Sequence, residues 1–398
     1  MQPGRLGRER YFGGEAPGVY LETEFRPPHR EFFSTGVPAF LGLMPQGAAS
    51  RARGTKPQRH MISLWSHFEH YVGKPTPGCY LAYAVRGFFE NGGHWCYVVV
   101  LKDDTRKSLE AGLEAISDLD TVDLVCAPDL ARDKGRMFEL QQIVVKYCED
   151  EEQPAGRFAV LDSRPQDDGN DVVKQWSEID GKDGAIYYPW VKVRGFDGGL
   201  ELVPPCGHVA GVFARTDRSQ GVHKAPANEV LEGVIDLERR LSNADQAQLN
   251  KYGVNCLRSF PGRGIRVWGA RTLSGQAAWT YVNVRRLFLT AARWIEWNMS
   301  DIPFEPNSPR LWKRIERELT TYFTDLYRKG ALKGGSPQQA FYVKCNEETN
   351  PRELLESGQV VTEIGLAPTV PYEFVVVRLI HGSRGTTITG PTQPGNLS

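Results

Sequence analysis

HWCYVVVLK (residues 94–102) concentrates β-branched and aromatic residues in a run too short for a helix and too apolar for a loop. It reads as a strand buried on both faces, as found inside a parallel sheet. Two similar runs follow, VDLVCAP (122–128), stopped by Pro128, and GRFAVLDS (156–163). Helical patterns lie between them, SLEAGLEAISDL at 108–119 and ARDKGRMFELQQIVVKYCED at 131–150. A further helix, YLAYAVRGFFENGG (80–93), precedes them and is closed by Gly92 and Gly93. Strand and helix alternating at this spacing specify a parallel α/β sheet. DDGNDVVKQWSEIDG (167–181) adds a helix, and AIYYPWVKVRG (185–195) adds a strand.

Outside this body the pattern changes. MISLWSHFEHYVG (61–73) is a short amphipathic stretch. Residues 196–279 read as turns and loops, with one helix around 229–250. Two clear helices follow. YVNVRRLFLTAARWIEWNMS (281–300) aligns Val284, Leu287, Phe288, Ala291 and Ile295 on one side. SPRLWKRIERELTTYFTDLYRKG (308–330) has Ser308 as N-cap, Pro309 at the first helical position and Gly330 at its close. Its apolar face is Leu311, Ile315, Leu319, Tyr322 and Leu326. AFYVKCNEETN (340–350) and YEFVVVRLIHG (372–382) are strands around a polar connection. At the amino end, GVYLETEF (18–25) alternates Val19, Leu21 and Phe25 as a strand does, and Pro27 and Pro28 forbid a helix beyond it. Near the carboxyl end TTIT (386–389) is one short strand candidate. The expected fold is α/β, mixed and multi-domain. It comprises an extended arm (1–35), a parallel-type α/β body (36–275), a C-terminal α+β part (276–382) and a second extended arm (383–398). A terminal strand that cannot bury both faces alone is suited to joining another sheet by its edge.

The chain of 398 residues carries 48 basic and 48 acidic side chains, a balance that argues against a general nucleic-acid binder and eases self-association. Its seven cysteines are odd in number and form no CxxC pair, so buried free thiols in a reducing compartment are expected. No apolar run is long enough to span a bilayer and no leader pattern opens the sequence, which points to folding in the cytoplasm.

The search for chemistry finds no convergent set. Cys206 and His208 in PPCGHVAG supply two potential zinc ligands where four are needed, and no second pair has suitable spacing. GRGIRVWGA (262–270) and GSRGTT (382–387) lack dinucleotide and phosphate-loop spacing. Asp123, Asp129 and Asp162 fall near strand ends, where α/β enzymes place ligands but where loop and helix caps are also common. Arg51, Arg53, Lys56 and Arg59 form a small basic loop without interleaved aromatics. GVHKAPANE (221–229) reads as a packed joint. Pro226 fixes a turn, and Glu229 is expected to open a helix. His223 or Lys224 as a general base needs a partner that the sequence does not supply.

Five segments resemble the contractile tail sheath proteins of bacteriophages and of phage-tail-like injection systems. They are APGVYLET (16–23), PPCGHVAGVFARTDRSQGVHKAPANE (204–229), NCLRSFPGRGIRVWGARTLS (255–274), YVNVRRLFLTAARWIEWNMSDIPFEPNSPRLWKRIE (281–316) and GLAPTVPYEFVVVRLIH (365–381). They follow the family order and cover most of the last 200 residues.

The resemblance implies a structural subunit, without cofactor or catalysis, that polymerises with itself as stacked rings of six around an inner tube. Baseplate and tail-terminator or cap proteins are further implied partners; nucleic acid and membrane insertion are not. Assembly is expected in the bacterial cytoplasm, as part of a phage tail or a tail-like particle. The C-terminal part faces the tube, and the arms interlock neighbours by strand sharing. Val19, Leu21 and Phe25 are then the N-terminal anchor face and Ile388 the C-terminal one, with Glu373–Ile380 in the receiving sheet. His223, Lys224, Pro226 and Glu229 form a structural junction. Arg266 and Arg271 are polar ties near the shared sheet. A low-copy baseplate adaptor and an α/β enzyme are the alternatives.

Overall fold

The computed structural model describes residues 34–43, 57–150, 156–302, 305–369, 375–382 and 385–389. The candidate strand at 18–25, with Val19, Leu21 and Phe25, lies outside these residues, as do Arg51, Arg53 and Lys56.

The body is built on an eight-stranded sheet. In chain order its strands are β1 (Pro38–Leu43), β2 (Arg59–Ile62), β3 (Cys96–Leu101), β4 (Leu124–Cys126), β5 (Phe158–Asp162) and β6 (Gly184–Tyr188), with two more from later in the chain. Strands β3, β1, β4, β5 and β6 run parallel in that spatial order. β2 adds antiparallel to β3 at one edge. The parallel body expected from the alternating runs is therefore present. HWCYVVVLK is β3, with Val98 and Val99 completely buried on opposite faces.

Helices cover both faces. α1 (Trp65–Tyr71) lies after β2, and α2 (Tyr80–Glu90) packs on one face beside Phe40, Leu124 and Tyr187. The other face takes α3 (Arg106–Glu114), α4 (Met137–Glu149) and α5 (Gly169–Glu178) against Leu41, Val125 and Ile186. The helix expected over 131–150 is shorter, because a 3₁₀ turn occupies Pro128–Arg132. AIYYPWVKVRG is two strands. Pro189 has no N–H for the ladder, and beyond it β7 (Val191–Arg194) becomes the centre of a separate three-stranded sheet between β8 (Leu200–Val203) and β9 (Val234–Leu237).

The largest departure from the expected pattern is α6 (Cys206–Gln220), a 15-residue helix where the prolines and glycines of PPCGHVAG suggest loops. Pro205 stands at the N-cap, outside the helical ladder. The glycines serve packing. A Cβ on Gly207 would lie 2.2 Å from the Ala84 carbonyl oxygen of α2, and one on Gly211 would lie 2.5 Å from that of Phe88. G-x-x-x-G here lets α2 and α6 approach backbone to backbone. The helix expected at 229–250 is confined to α7 (Asn243–Lys251), capped by Ser242 and Asp245. NCLRSFPGRGIRVWGARTLS forms the antiparallel pair β10 (Asn255–Phe260) and β11 (Gly264–Trp268), completing the large sheet beside β6.

The C-terminal part has its own core. α8 (Val282–Asn298) and α9 (Pro309–Arg328) pack on a four-stranded antiparallel sheet. Its strands are β12 (Phe341–Lys344), β13 (Val360–Leu366), β14 (Val375–Gly382) and β15 (Gly385–Thr389), in that spatial order. β13 is absent from the sequence reading, because VVTEIGL sits beside polar and glycine residues and alternates weakly. All seven cysteines are buried and unpaired, as expected.

Gly207→Val should therefore drive α2 and α6 apart and destabilise the fold by at least about 2 kcal/mol, the scale of an overpacked core site. Urea unfolding of the purified chain measures it; an unchanged midpoint would contradict the close crossing.

Candidate functional site

Among the described residues a cluster of buried charges lies at the amino-terminal edge of the parallel sheet. Asp123 and Asp183 immediately precede β4 and β6, and residues 34–37 lead into β1. Three arginines of α8 meet this edge. Arg285 makes a two-bonded pair with Asp183, with Nη2 2.8 Å from Oδ2, and lies over the Trp279 ring. Arg286 donates from Nη1 to Asp217 Oδ1 at 2.9 Å and from Nη2 to Asp217 Oδ2 at 2.6 Å. The same Nη2 reaches Asp123 Oδ2 at 2.9 Å. Arg293 donates to the carbonyl oxygens of Asp120 at 2.8 Å and Ser34 at 3.4 Å. Burial works against the Arg286 charge, but Asp217 and Asp123 outweigh it and hold the guanidinium above its ordinary pKa.

α8 can do this because it has two buried faces. Val284, Leu287, Phe288, Ala291 and Ile295 enter the C-terminal core, as the sequence pattern indicates. Val282 and Leu289 enter the body core, and Arg286 and Arg293 recur on that side at helical spacing. These arginines are missing from the sequence-based candidates. The available signal is the pair Arg286 and Arg293, seven apart, interleaved with Val282 and Leu289 in a helix that already has a complete apolar stripe.

Asp123 lies at the opposite edge of the sheet from where α/β enzymes place ligands, because it precedes β4 instead of following it. Asp129 and Asp162 lie at the carboxyl edge but are engaged in structure. Asp129 pairs with Arg132 and accepts from the Leu43 N–H at 3.0 Å. Asp162 accepts from the Cys206 N–H at 2.8 Å. Burial pushes its carboxyl up to about 7, opposed by the Cys206 thiol and N–H. Cys206 and His208 lie within the buried helix α6. Burial raises the Cys206 thiol well above its usual value and lowers His208 to about 3. Among the described residues no group of three or more His, Cys, Asp or Glu is placed to hold a metal.

The GVHKAPANE joint is tied to both the body and α8. Asn283 of α8 donates to the His223 carbonyl at 2.8 Å. Burial lowers the half-buried His223 imidazole. Lys224 is exposed and Pro226 buried. Glu229 does not open a helix. Asn228 adopts φ 62° and its N–H donates to the Val267 carbonyl at 2.7 Å, which lays residues 228–231 alongside β11. Glu229 pairs instead with Arg215 at 3.7 Å. Arg266 donates to the Asn228 carbonyl at 2.6 Å, and Arg271 lies over the Tyr281 ring while its N–H donates to Asn255. Both arginines thus sit at the β11 end of the large sheet, outside the four-stranded one. Arg59 of the basic loop is in β2 and paired with Asp118. Ile388 falls in β15, opposite Leu379 of β14.

Comparison with known proteins gives two contiguous family matches. The phage tail sheath protein central domain matches residues 105–273, and the phage tail sheath C-terminal domain matches residues 274–380. A chain from the anti-feeding prophage helical sheath in its contracted state is 30% identical, with a TM-score of 0.74 over 91% of this chain and 98% of that one. A chain from the six-fold symmetrised baseplate of the same particle is 30% identical, with a TM-score of 0.72 and the same coverage. This chain belongs to the contractile tail sheath protein family. The tail sheath protein of Salmonella phage ViI is 26% identical over 213 residues, which is 52% of this sheath-family chain but 33% of that protein. The chain spans well under half the length of the curated phage sheath proteins it matches.

The buried Asp162 gives the fold a calculable pH dependence. Its native pKa, about 7, exceeds the ordinary 3.8, so the unfolded chain gives up this proton first as pH rises. Its contribution to stability is therefore lost from about pH 4 to about pH 7 and is level above, a total on the order of 4 kcal/mol. Asp162→Asn keeps a carbonyl for the Cys206 N–H. Relative to wild type it should gain stability across that window and match it near pH 4. Urea titrations at several pH values measure this, and parallel wild-type and variant profiles would contradict it.

Proposed function

We propose that this chain is a structural subunit of a contractile sheath. It stacks in six-membered rings around an inner tube and contracts to drive that tube into a target. The observation that carries the reading is the match, along 91% of the chain, to a subunit of a contracted helical sheath. The N-terminal arm at 1–35 interlocks a neighbour by strand sharing, with Val19, Leu21 and Phe25 as anchor residues; Ile388, whose strand β15 pairs with β14 of the same chain, belongs to the receiving sheet instead of a donated arm. The remaining partners are baseplate and terminator proteins, and assembly takes place in the bacterial cytoplasm. The similarity to a baseplate chain keeps the low-copy adaptor as a second reading.

The tube-facing role of the C-terminal part has support in the charge on α9. Its buried face is Leu311, Trp312, Ile315, Leu319 and Phe323. On the opposite side Arg310, Lys313, Arg317 and Arg328 are exposed and align over about 27 Å at 1.5 Å per residue. None of the four forms an ion pair among the described residues. Arg314, on the flank, is by contrast paired with Asp301, Glu305 and Glu318. A row of cations without an ion pair among the described residues fits an acidic partner surface.

Co-expression with the neighbouring tube protein and negative-stain electron microscopy tests the proposal. Wild type should give striated cylinders wider than a bare tube. The triple variant Arg310→Glu, Lys313→Glu, Arg317→Glu should keep its circular dichroism and melting midpoint but lose cylinders around the tube. Wild-type monomers or single rings alone would favour the adaptor.

A further inference from the structure

Residues 34–37 lie against the buried ionic cluster. The Ser34 carbonyl accepts from Arg293. The Thr35 side chain lies by Asp217 and favours its charged form. The Gly36 and Val37 N–H groups donate to the two oxygens of Asp123, at 2.9 and 2.6 Å. Gly36 has φ 70°, and a Cβ there would lie 2.5 Å from the Ala214 Cα of α6. The chain is thus hydrogen-bonded at Ser34, Gly36 and Val37 before it enters β1, by Arg293 of α8 and the residue ahead of β4, with Thr35 set beside Asp217 of α6. Two buried carboxylates, Asp123 and Asp217, share the Arg286 guanidinium, and Arg293 binds the backbone carbonyls of Ser34 and Asp120 beside them.

Such fixing exceeds what a loop entering a buried strand requires. β1 is already paired on both sides, to β3 and β4. Pull applied to the segment before residue 34 would, without the cluster, peel β1 from the sheet one hydrogen bond at a time. With it, the pull is transmitted through Arg286 and Arg293 into α8, whose other face is the C-terminal core carrying the four-stranded sheet.

We propose that Asp123, Asp217, Arg286 and Arg293 are positioning residues that fix the root of the N-terminal arm and carry its tension into α8 and the C-terminal sheet. This rests on the reading that residues 1–35 are a donated arm. The test is constant-force pulling on the full chain with optical tweezers, from a handle at residue 1 to a cysteine replacing the exposed Lys329. The native cysteines are all buried and leave that handle selective. In a control geometry the first handle is at the exposed Lys74, which bypasses residues 34–37.

Asp217→Asn should speed the first rupture about tenfold from residue 1, as expected for weakening one charge-assisted hydrogen bond. It should also add an early step of roughly 35 Å as residues 34–43 leave, at about 3.5 Å per residue. The control geometry should be unaffected. Thr35→Val, which leaves the Arg286 ion pairs in place, should shift the same rupture in the same direction if Asp217→Asn does not fold. Equal weakening in both geometries, or no change in either, would overturn the proposal. Deleting residues 1–25 tests the arm separately. If the truncated chain still forms cylinders, no donated arm loads the cluster and the proposal falls with that reading. If cylinders are lost but pulling shows no dependence on geometry, the proposal alone falls.

Discussion

The guanidinium of Arg286, shared between Asp217 and Asp123, is the contact on which the arrangement of this chain depends. It joins the end of α6, the start of β4, the entry to β1 and the second turn of α8. All of its partners are buried, so removing the arginine leaves two carboxylates without a counter-charge, a loss of about 3–5 kcal/mol. An apolar residue there would serve α8 as well in its own core. What the arginine adds is register, since its planar fork fits one pair of carboxylates in one orientation. Arg285 with Asp183 repeats the device one residue earlier and two strands further along the sheet.

The same helix joins two separately packed parts. The body has a core on each face of the parallel sheet, and the C-terminal part has a third. α8 contributes side chains to the first and third and arginines to the seam. Asn283 adds the GVHKAPANE joint to the same helix. In the proposed sheath, a seam fixed in this way would direct change to the contacts between subunits. The carboxyl edge of the sheet, where an enzyme would place its ligand, is meanwhile occupied by the bonds of Asp129 and Asp162.

Legibility in the sequence follows how local the determining contacts are. The parallel strands are readable because runs such as HWCYVVVLK carry their burial in their own composition. α9 is readable from its stripe and from Ser308, Pro309 and Gly330. α6 is not, because Gly207 and Gly211 are helix-packing residues against Ala84 and Phe88, more than a hundred positions away, and resemble loop residues in isolation. The helix expected at Glu229 fails for a similar reason. Its extended backbone is set by Val267, and nothing in GVHKAPANE announces that partner. The cluster around Arg286 joins residues separated by up to 259 positions, so no spacing rule exposes it.

Native-state hydrogen exchange at the Gly36 and Val37 amides tests the seam most directly. If the cluster holds the entry to β1, both amides should exchange only through global unfolding, as slowly as the central amides of α8 and β4. Exchange at loop rates, while β1 remains protected, would contradict the central place of Arg286 and its two carboxylates in this fold.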